Sequence, residues 1–250
     1  MSKQEILLTK ELPTIIGTTD IYDYFWQLPK NWFEAPNYRR GGWSGVIKYD
    51  LPHNQFIDVP VFVKLQSNSV YKTIKHPFKG QPTLLREFIN TQNAIEAGVK
   101  TLDFVYFARD DFDAILVSKS LEGYQDLTQA LFSIKDNVAV RNTIIKLLSD
   151  NLCAMHQAKI KHGSLYGKHV LVKINGNNVD LRFIDFEKAR HSRSMMSCIV
   201  RDIYSLFKHC DQLTEEDYQY LMKQYQNICD ISYLEKIEYK LKKYQKRKLK

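Results

Sequence analysis

The spacing of apolar residues changes character near the middle of this chain, and that change limits the folds open to it. In the first half the apolar residues gather in short β-rich runs, Gly45 to Tyr49, Val59 to Leu65, Phe104 to Ala108 and Ala114 to Ser118, the last two flanking the polar turn Arg109-Asp-Asp-Phe-Asp113. One helix is predicted between them. It starts near Pro82-Thr83 with Thr83 as its N-cap, carries Leu84, Leu85, Phe88 and Ile95, and stops at Gly98. From Arg141 to Ala158 the period becomes helical, with Ile144, Ile145, Leu148, Leu152 and Met155 on one face. Two more β-rich runs, Val170 to Ile174 and Val179 to Ile184, are joined by Asn175-Gly-Asn-Asn178, a tight-turn signal. Thr214 to Asp217 fits a capping box, with helices expected to follow it. Strands gathered in one half and helices in the other give an α+β fold: an N-terminal antiparallel sheet with one helix, then a mainly helical C-terminal part. No internal repeat or low-complexity linker interrupts it, and the boundary is expected near Ser120 to Tyr124.

With 250 residues, 44% of them apolar, the chain can bury one large core or two smaller ones. The apolar run Ile6-Leu7-Leu8 is too short for a signal-peptide core, and no uncharged stretch is long enough to span a bilayer. Cys153, Cys198, Cys210 and Cys229 are widely spaced, which predicts reduced thiols and a cytoplasmic setting. The net charge of +8 is concentrated: Lys236 to Lys250 hold eight Lys or Arg against Glu238, leaving the rest nearly neutral. A basic surface for wrapping nucleic acid is therefore not expected, and any polyanion contact belongs at the C-terminus.

Two runs carry recognisable chemistry. His162-Gly-Ser-Leu-Tyr-Gly-Lys-His169 has the outline of a kinase catalytic loop, and Phe183-Ile-Asp-Phe-Glu-Lys-Ala-Arg190 that of the metal-binding segment after it. A protein kinase reads His-Arg-Asp with Asn five residues beyond the Asp; here Ser164 takes the place of the base and His169 that of the Asn. Upstream, Gly41-Gly-Trp-Ser-Gly45 precedes a strand, where small residues would let backbone N–H groups approach phosphates or would simply make a hairpin. Lys64 ends Val61-Phe-Val-Lys64 on the face opposite Val61 and Val63, and Glu87 on the following helix could pair with it.

These residues resemble the InaA branch of the lipopolysaccharide kinase (Kdo/WaaP) family, within the protein kinase-like superfamily. The likeness is carried by Glu34-Ala-Pro-Asn-Tyr-Arg-Arg-Gly-Gly-Trp-Ser-Gly-Val46, Phe62-Val-Lys64, His76-Pro77, Pro82-Thr83, Arg86-Glu87-Phe88, Leu121-Glu-Gly123, His162-Gly163, Tyr166, Lys168-His169 and Asp185-Phe-Glu-Lys188. It spans roughly Glu34 to Phe207 and leaves out the basic tail. The resemblance implies a two-lobed fold, residues 1–120 forming the nucleotide-phosphate lobe and 121–250 the lobe with the loop and metal segment. It implies ATP and Mg2+, with Mn2+ as an alternative. Gly41, Gly42 and Gly45 would cover the phosphates, Lys64 would bridge them, Glu87 would hold Lys64, Asp185 would take the metal, and adenine would bond the backbone near Ser118 to Leu121. Asp202 would steady the catalytic loop, or else cap its own helix.

Ser164 and His169 decide how far that implication reaches. A positioned base is worth about 10² to 10⁴ in rate. Phosphoryl transfer depends mostly on metal, lysine and alignment, so replacing the base by Ser164 does not by itself end catalysis. His169 would ligate the metal or orient phosphates, a neutral imidazole suiting Mn2+ or zinc better than Mg2+, or it would be a structural histidine bonding the loop backbone. Glu187 is either a displaced carboxylate near the metal or a salt-bridge partner of Arg190 or Lys168. The expected function is ATP-dependent phosphorylation of a hydroxyl on a lipopolysaccharide core sugar or related envelope glycan. The alternatives are a pseudokinase binding or signalling module and, through the tail, a nucleic-acid binder. Leu234, Ile237, Leu241 and Tyr244 recur at helical spacing in the lysine-rich tail. That stripe would lie on an anionic surface at the inner face of the inner membrane, or would pack onto the helical half.

Overall fold

A computed structural model describes residues 3–39, 41–52, 56–57, 59–72, 78–134 and 137–248, with side chains to Lys242 in the last helix. Arg40, His76, Pro77, Lys250 and the side chains of Lys243, Tyr244, Lys246, Arg247 and Lys248 lie outside the described residues. The chain packs as two units, one of Met1–Ile89 with Leu102–Glu122 and one of Asn90–Thr101 with Gly123–Lys250.

The first unit is built on strands β1 (Gln4–Leu8), β2 (Trp32–Arg39), β3 (Gly42–Tyr49), β4 (Val61–Ser67), two-residue strands β5 (Val70–Tyr71) and β6 (Gln81–Pro82), β7 (Phe104–Asp110) and β8 (Asp113–Lys119). Six of them form an antiparallel sheet in the order β1-β7-β8-β4-β3-β2. Alternation along β4 sends Val61, Val63 and Leu65 into a core with Ile47, Val105, Tyr106, Ile115 and Val117, and turns Phe62, Lys64 and Gln66 to the other face.

Two short helices that the periodicity does not disclose, α1 (Leu12–Ile16) and α2 (Ile21–Trp26), close the first core, so this part carries more than the one expected helix. Both are too short to show a helical period. α2 is fixed by its cap, Asp20 accepting from the Asp23 amide at 3.4 Å, and by Ile21, Tyr22 and Phe25 in the core.

Helix α3 (Thr83–Glu96) begins as predicted, but Thr83 does not cap it. The buried Gln66 does: its Oε1 accepts from the Leu84 amide at 2.7 Å and from the Thr83 hydroxyl at 2.8 Å. A strand residue with a side-chain carbonyl satisfies the orphan donor better than a hydroxyl that is itself drawn into donating. Leu84, Leu85 and Phe88 pack on Phe107, Ala114 and Leu116, the Phe88 and Phe107 rings stacked 4.4 Å apart.

The second unit contains the short strand β9 (Gln125–Asp126), α4 (Leu127–Ser133), the long helix α5 (Val138–Gln157), β10 (Ile160–Lys161), β11 (Val170–Asn175), β12 (Asn178–Phe183), β13 (Arg190–His191), α6 (Met195–Lys208), α7 (Glu215–Tyr225) and α8 (Ile231–Lys248). Ile144, Ile145, Leu148, Leu152 and Met155 of α5 are buried in its core. Removing one such side chain costs about 2–5 kcal/mol. Thr214 and Asp217 form the expected capping box at α7. Along α8, Leu234, Ile237 and Leu241 are buried in the same core, while Lys236, Lys240 and Lys242 face solvent. Tyr233 at its start accepts from the Met196 amide at 2.9 Å. All four cysteines are free thiols.

Candidate active site

The loop from His162 to His169 follows β10 and ends in a single 3-10 turn (Gly167–His169). Its conformation is imposed by Asp202, fully buried on α6, which accepts from the amides of His162 at 2.7 Å and Gly163 at 2.9 Å. Of the two roles open to Asp202 in the sequence, the hydrogen bonds select loop anchoring; α6 is capped by Ser194.

Two residues that sequence patterns do not single out complete the anchor. His156 Nε2 lies 3.3 Å from Asp202 Oδ2, and His156 Nδ1 lies 2.6 Å from the hydroxyl of Tyr225. Only an Nε2–H can donate to the carboxylate, so Nδ1 accepts from Tyr225 and the chain of bonds is fully satisfied. Burial alone would raise the Asp202 pKa. The hydrogen bonds from His156 and from the Gly163 amide outweigh it and hold the carboxyl below its ordinary value.

Gly163 sits at φ +82, and a Cβ there would lie 2.8 Å from the carbonyl oxygen of Lys188, so only glycine lets the loop pass this close to Lys188. His162 is buried, its Nε2 donating to the Ile184 carbonyl at 3.0 Å and its ring 4.8 Å from that of Phe186. Burial holds it below the usual histidine value despite the nearby Asp202 charge, which keeps it neutral.

Ser164 is only 1% exposed, and its Oγ has no hydrogen-bond partner among the described residues. What the residue contributes is its carbonyl, which accepts from His169 Nδ1 at 2.6 Å. A carbonyl cannot donate, so the neutral His169 ring presents a lone pair at Nε2, and Nε2 lies 3.3 Å from Asp185 Oδ2. Two acceptors facing each other need something positive between them, a ring proton or a cation. Two donors each about 2.1 Å from an octahedral cation stand about 3.0 Å apart, so the pair fits a divalent ion as it is. Among the described residues no group of three or more His, Cys, Asp or Glu could enclose a metal, so further ligands would be phosphate oxygens and water.

Asp185 is in the left-handed region, φ +63 and ψ +61, just before a second 3-10 turn (Phe186–Lys188). It caps nothing with its side chain, which is about one-third exposed. Asn90 pins the turn, its Nδ2 donating to the carbonyls of Phe186 at 3.0 Å and Ala189 at 2.7 Å. A non-glycine residue held at positive φ by such bonds is the kind of strain that collects at functional sites. Glu187 is half-buried.

In the first unit, Lys64 Nζ and Glu87 Oε2 are 2.6 Å apart, with the carboxylate buried and the ammonium 28% exposed. The glycines divide by role. A Cβ on Gly42 would come within 2.2 Å of the Asn68 carbonyl oxygen, and one on Gly45 within 2.7 Å of the Trp32 ring, so packing alone demands both. Gly41, at φ +81, turns the chain in open space. Of the backbone donors near Ser118 to Leu121, Lys119 already bonds the Asp103 carbonyl and Ser120 that of Pro60.

A family model described as the lipopolysaccharide kinase (Kdo/WaaP) family matches residues 23–225. The chain belongs to that family. The Kdo/WaaP match takes in both units, from Lys64 and Glu87 to the anchored loop and Tyr225, and stops before α8. Protein InaA of Escherichia coli (strain K12) is 26% identical over 215 residues, 82% of this chain and 95% of that relative. Within the Kdo/WaaP frame, Ser164 and His169 stand on a loop held at the His162 and Gly163 amides and at the Ser164 carbonyl.

Proposed function

We propose that this member of the Kdo/WaaP family is an ATP-dependent phosphotransferase whose acceptor is a hydroxyl of a lipopolysaccharide core sugar or a related envelope glycan. The observation that carries it is the pair His169 Nε2 and Asp185 Oδ2, 3.3 Å apart with the imidazole tautomer locked by the Ser164 carbonyl. That arrangement suits a cation carrying nucleotide phosphates. His169 and Asp185 would hold Mg2+ or Mn2+, which when bound would neutralise charge on the phosphate oxygens.

Lys64, kept extended by Glu87, would meet the phosphates, and Gly41 would let the turn approach them. Ser164 would supply no base, its hydroxyl being buried, so the rate would rest on alignment and charge neutralisation, about 10² to 10⁴ below what a positioned base allows. The lysines exposed on α8 would draw the protein to an anionic membrane surface by charge alone, because the apolar stripe is engaged in the core. Among the described residues no helix is long and apolar enough to cross a membrane.

The buried Ser164 hydroxyl favours a second reading, a pseudokinase that binds nucleotide without turning it over. Thermal melts with ATP plus Mg2+ and ATP plus Mn2+, followed by a phosphate-transfer assay on lipopolysaccharide core, separate the two. The proposal expects a rise in Tm lost in Lys64→Ala and Asp185→Ala, and transfer lost in both. Binding without transfer under either metal would favour the pseudokinase, and absence of binding would refute both.

A further inference from the structure

The two-residue strands β10 and β13 frame the loop and the metal segment: β10 runs directly into His162, and β13 opens five residues after Asp185. They pair antiparallel, Ile160 opposite His191 and Lys161 opposite Arg190. Ile160 is buried in the core of the second unit, so alternation puts Lys161 and Arg190 on the outer side, with Cβ atoms about 5 Å apart. Like charges directly opposite each other destabilise an antiparallel pair. Among the described residues no ion pair relieves either of them, and over residues 157–163 and 186–194 the acid Glu187 stands against Lys159, Lys161, Lys188, Arg190 and Arg193. Lys188 is exposed beside the same loop, its carbonyl being the atom that a Cβ on Gly163 would meet. At the far end, the Lys159 carbonyl accepts from the Ser192 amide at 2.8 Å. A strip of cations kept at a cost to its own ladder calls for an anion from outside the chain.

We propose that Lys161, Lys188 and Arg190 form a subsite for an acidic group carried by the acceptor, so that the preferred acceptor is a glycan already bearing a phosphate or carboxylate near the sugar whose hydroxyl is phosphorylated. This rests on the phosphotransferase reading given above. Location selects the acceptor as the source of the anion. The ladder is one residue from His162, whose ring stacks 6.1 Å from that of His169, so a group held there adjoins the reacting centre. In the reading above the nucleotide phosphates are met by Lys64 and by the cation at His169 and Asp185, which leaves the ladder to the other substrate. A guanidinium beside an ammonium offers paired donors to two oxygens of one phosphate or carboxylate. An uncharged glycan leaves the like charges of the ladder facing each other and is a poor acceptor. The reaction that places the acid, either transfer of a sugar acid or an earlier phosphorylation, therefore precedes this one.

The test is calorimetric titration of the full chain with deacylated lipopolysaccharide core oligosaccharide in three forms: intact, stripped of phosphate by hydrofluoric acid, and with its carboxylates reduced to alcohols. The intact form is expected to bind, and one of the two treatments to weaken it about ten-fold or more, which says whether the subsite takes phosphate or carboxylate. Lys161→Gln and Arg190→Gln should each weaken the intact form by about ten- to a hundred-fold and leave the Mg2+ complex of ATP unchanged, while Arg190→Lys keeps part of the affinity. Arg190→Glu should abolish oligosaccharide binding and yet raise Tm, because an opposite-charge pair replaces a like-charge one across the ladder. That rise separates a lost subsite from a damaged fold. Oligosaccharide affinity that is the same in all three forms, or the same in both Gln variants, overturns the subsite while leaving the phosphotransferase reading in place. Gln variants that bind the oligosaccharide normally but lose binding to phosphatidylglycerol vesicles overturn it in favour of a membrane contact. A wild-type protein that binds ATP but none of the three forms overturns the glycan acceptor, and the subsite with it.

Discussion

Replacing Asp202 by Ala tests whether the loop is held as described. The carboxylate takes three donors, the amides of His162 and Gly163 and Nε2 of His156, all with no exposure of the carboxylate to water. Truncation leaves those donors in a buried space, and each orphaned group costs about 1–3 kcal/mol. His156, which loses its acceptor, remains tied to Tyr225. Relaxation of the loop recovers part of the loss, so about 3–5 kcal/mol is expected for the three donors together. Denaturant unfolding followed by a probe in the second unit gives the total. Hydrogen exchange gives the location: protection of the His162 and Gly163 amides should fall before that of β11 and β12. A loss below about 1 kcal/mol, or exchange at those two amides no faster than in the wild type, would refute the anchoring role.

Because burial depresses the His162 pKa, the unfolded chain binds a proton there that the folded protein refuses. This contribution to stability is full above about pH 6.5 and falls as pH drops, by at most about 1.4 kcal/mol per pH unit for one proton. The His162 ring resonances should titrate in NMR with a midpoint below the ordinary histidine value, and an ordinary midpoint would contradict the burial. Gly163→Ala should cost at least about 1–2 kcal/mol from the left-handed backbone alone, with more from the Lys188 carbonyl, and a melt within 1 °C of wild type would show that the loop can shift aside.

The fold was legible where the periodicity was long. α5 and the β11–β12 hairpin carry their patterns over enough residues for the period to be read, and both buried faces follow from it. α1 and α2 span five and six residues, less than two turns, and are held by core contacts from strands distant in sequence. Thr83 shows the same limit at one residue: its type suited a cap, but the acceptor came from Gln66, seventeen positions earlier. At the candidate site the residues with a motif were visible, Asp185 and His169 among them. His156, Tyr225 and Asn90 were not, since a single polar residue on a helix has no spacing that marks it. The lone-pair orientation of His169 depends on a carbonyl, which no sequence displays.

Helix α8 lies beyond the family match, which ends at Tyr225, yet it seats three residues in the core and binds the first turn of α6 through Tyr233. α6 is the helix that presents Asp202 to the loop. A chain shortened to the matched segment would bare the Leu234, Ile237 and Leu241 sockets and loosen the first turn of α6, the helix that carries Asp202. The family's shared stretch is thus not an autonomous folding unit in this protein, and expression of it alone should give aggregation.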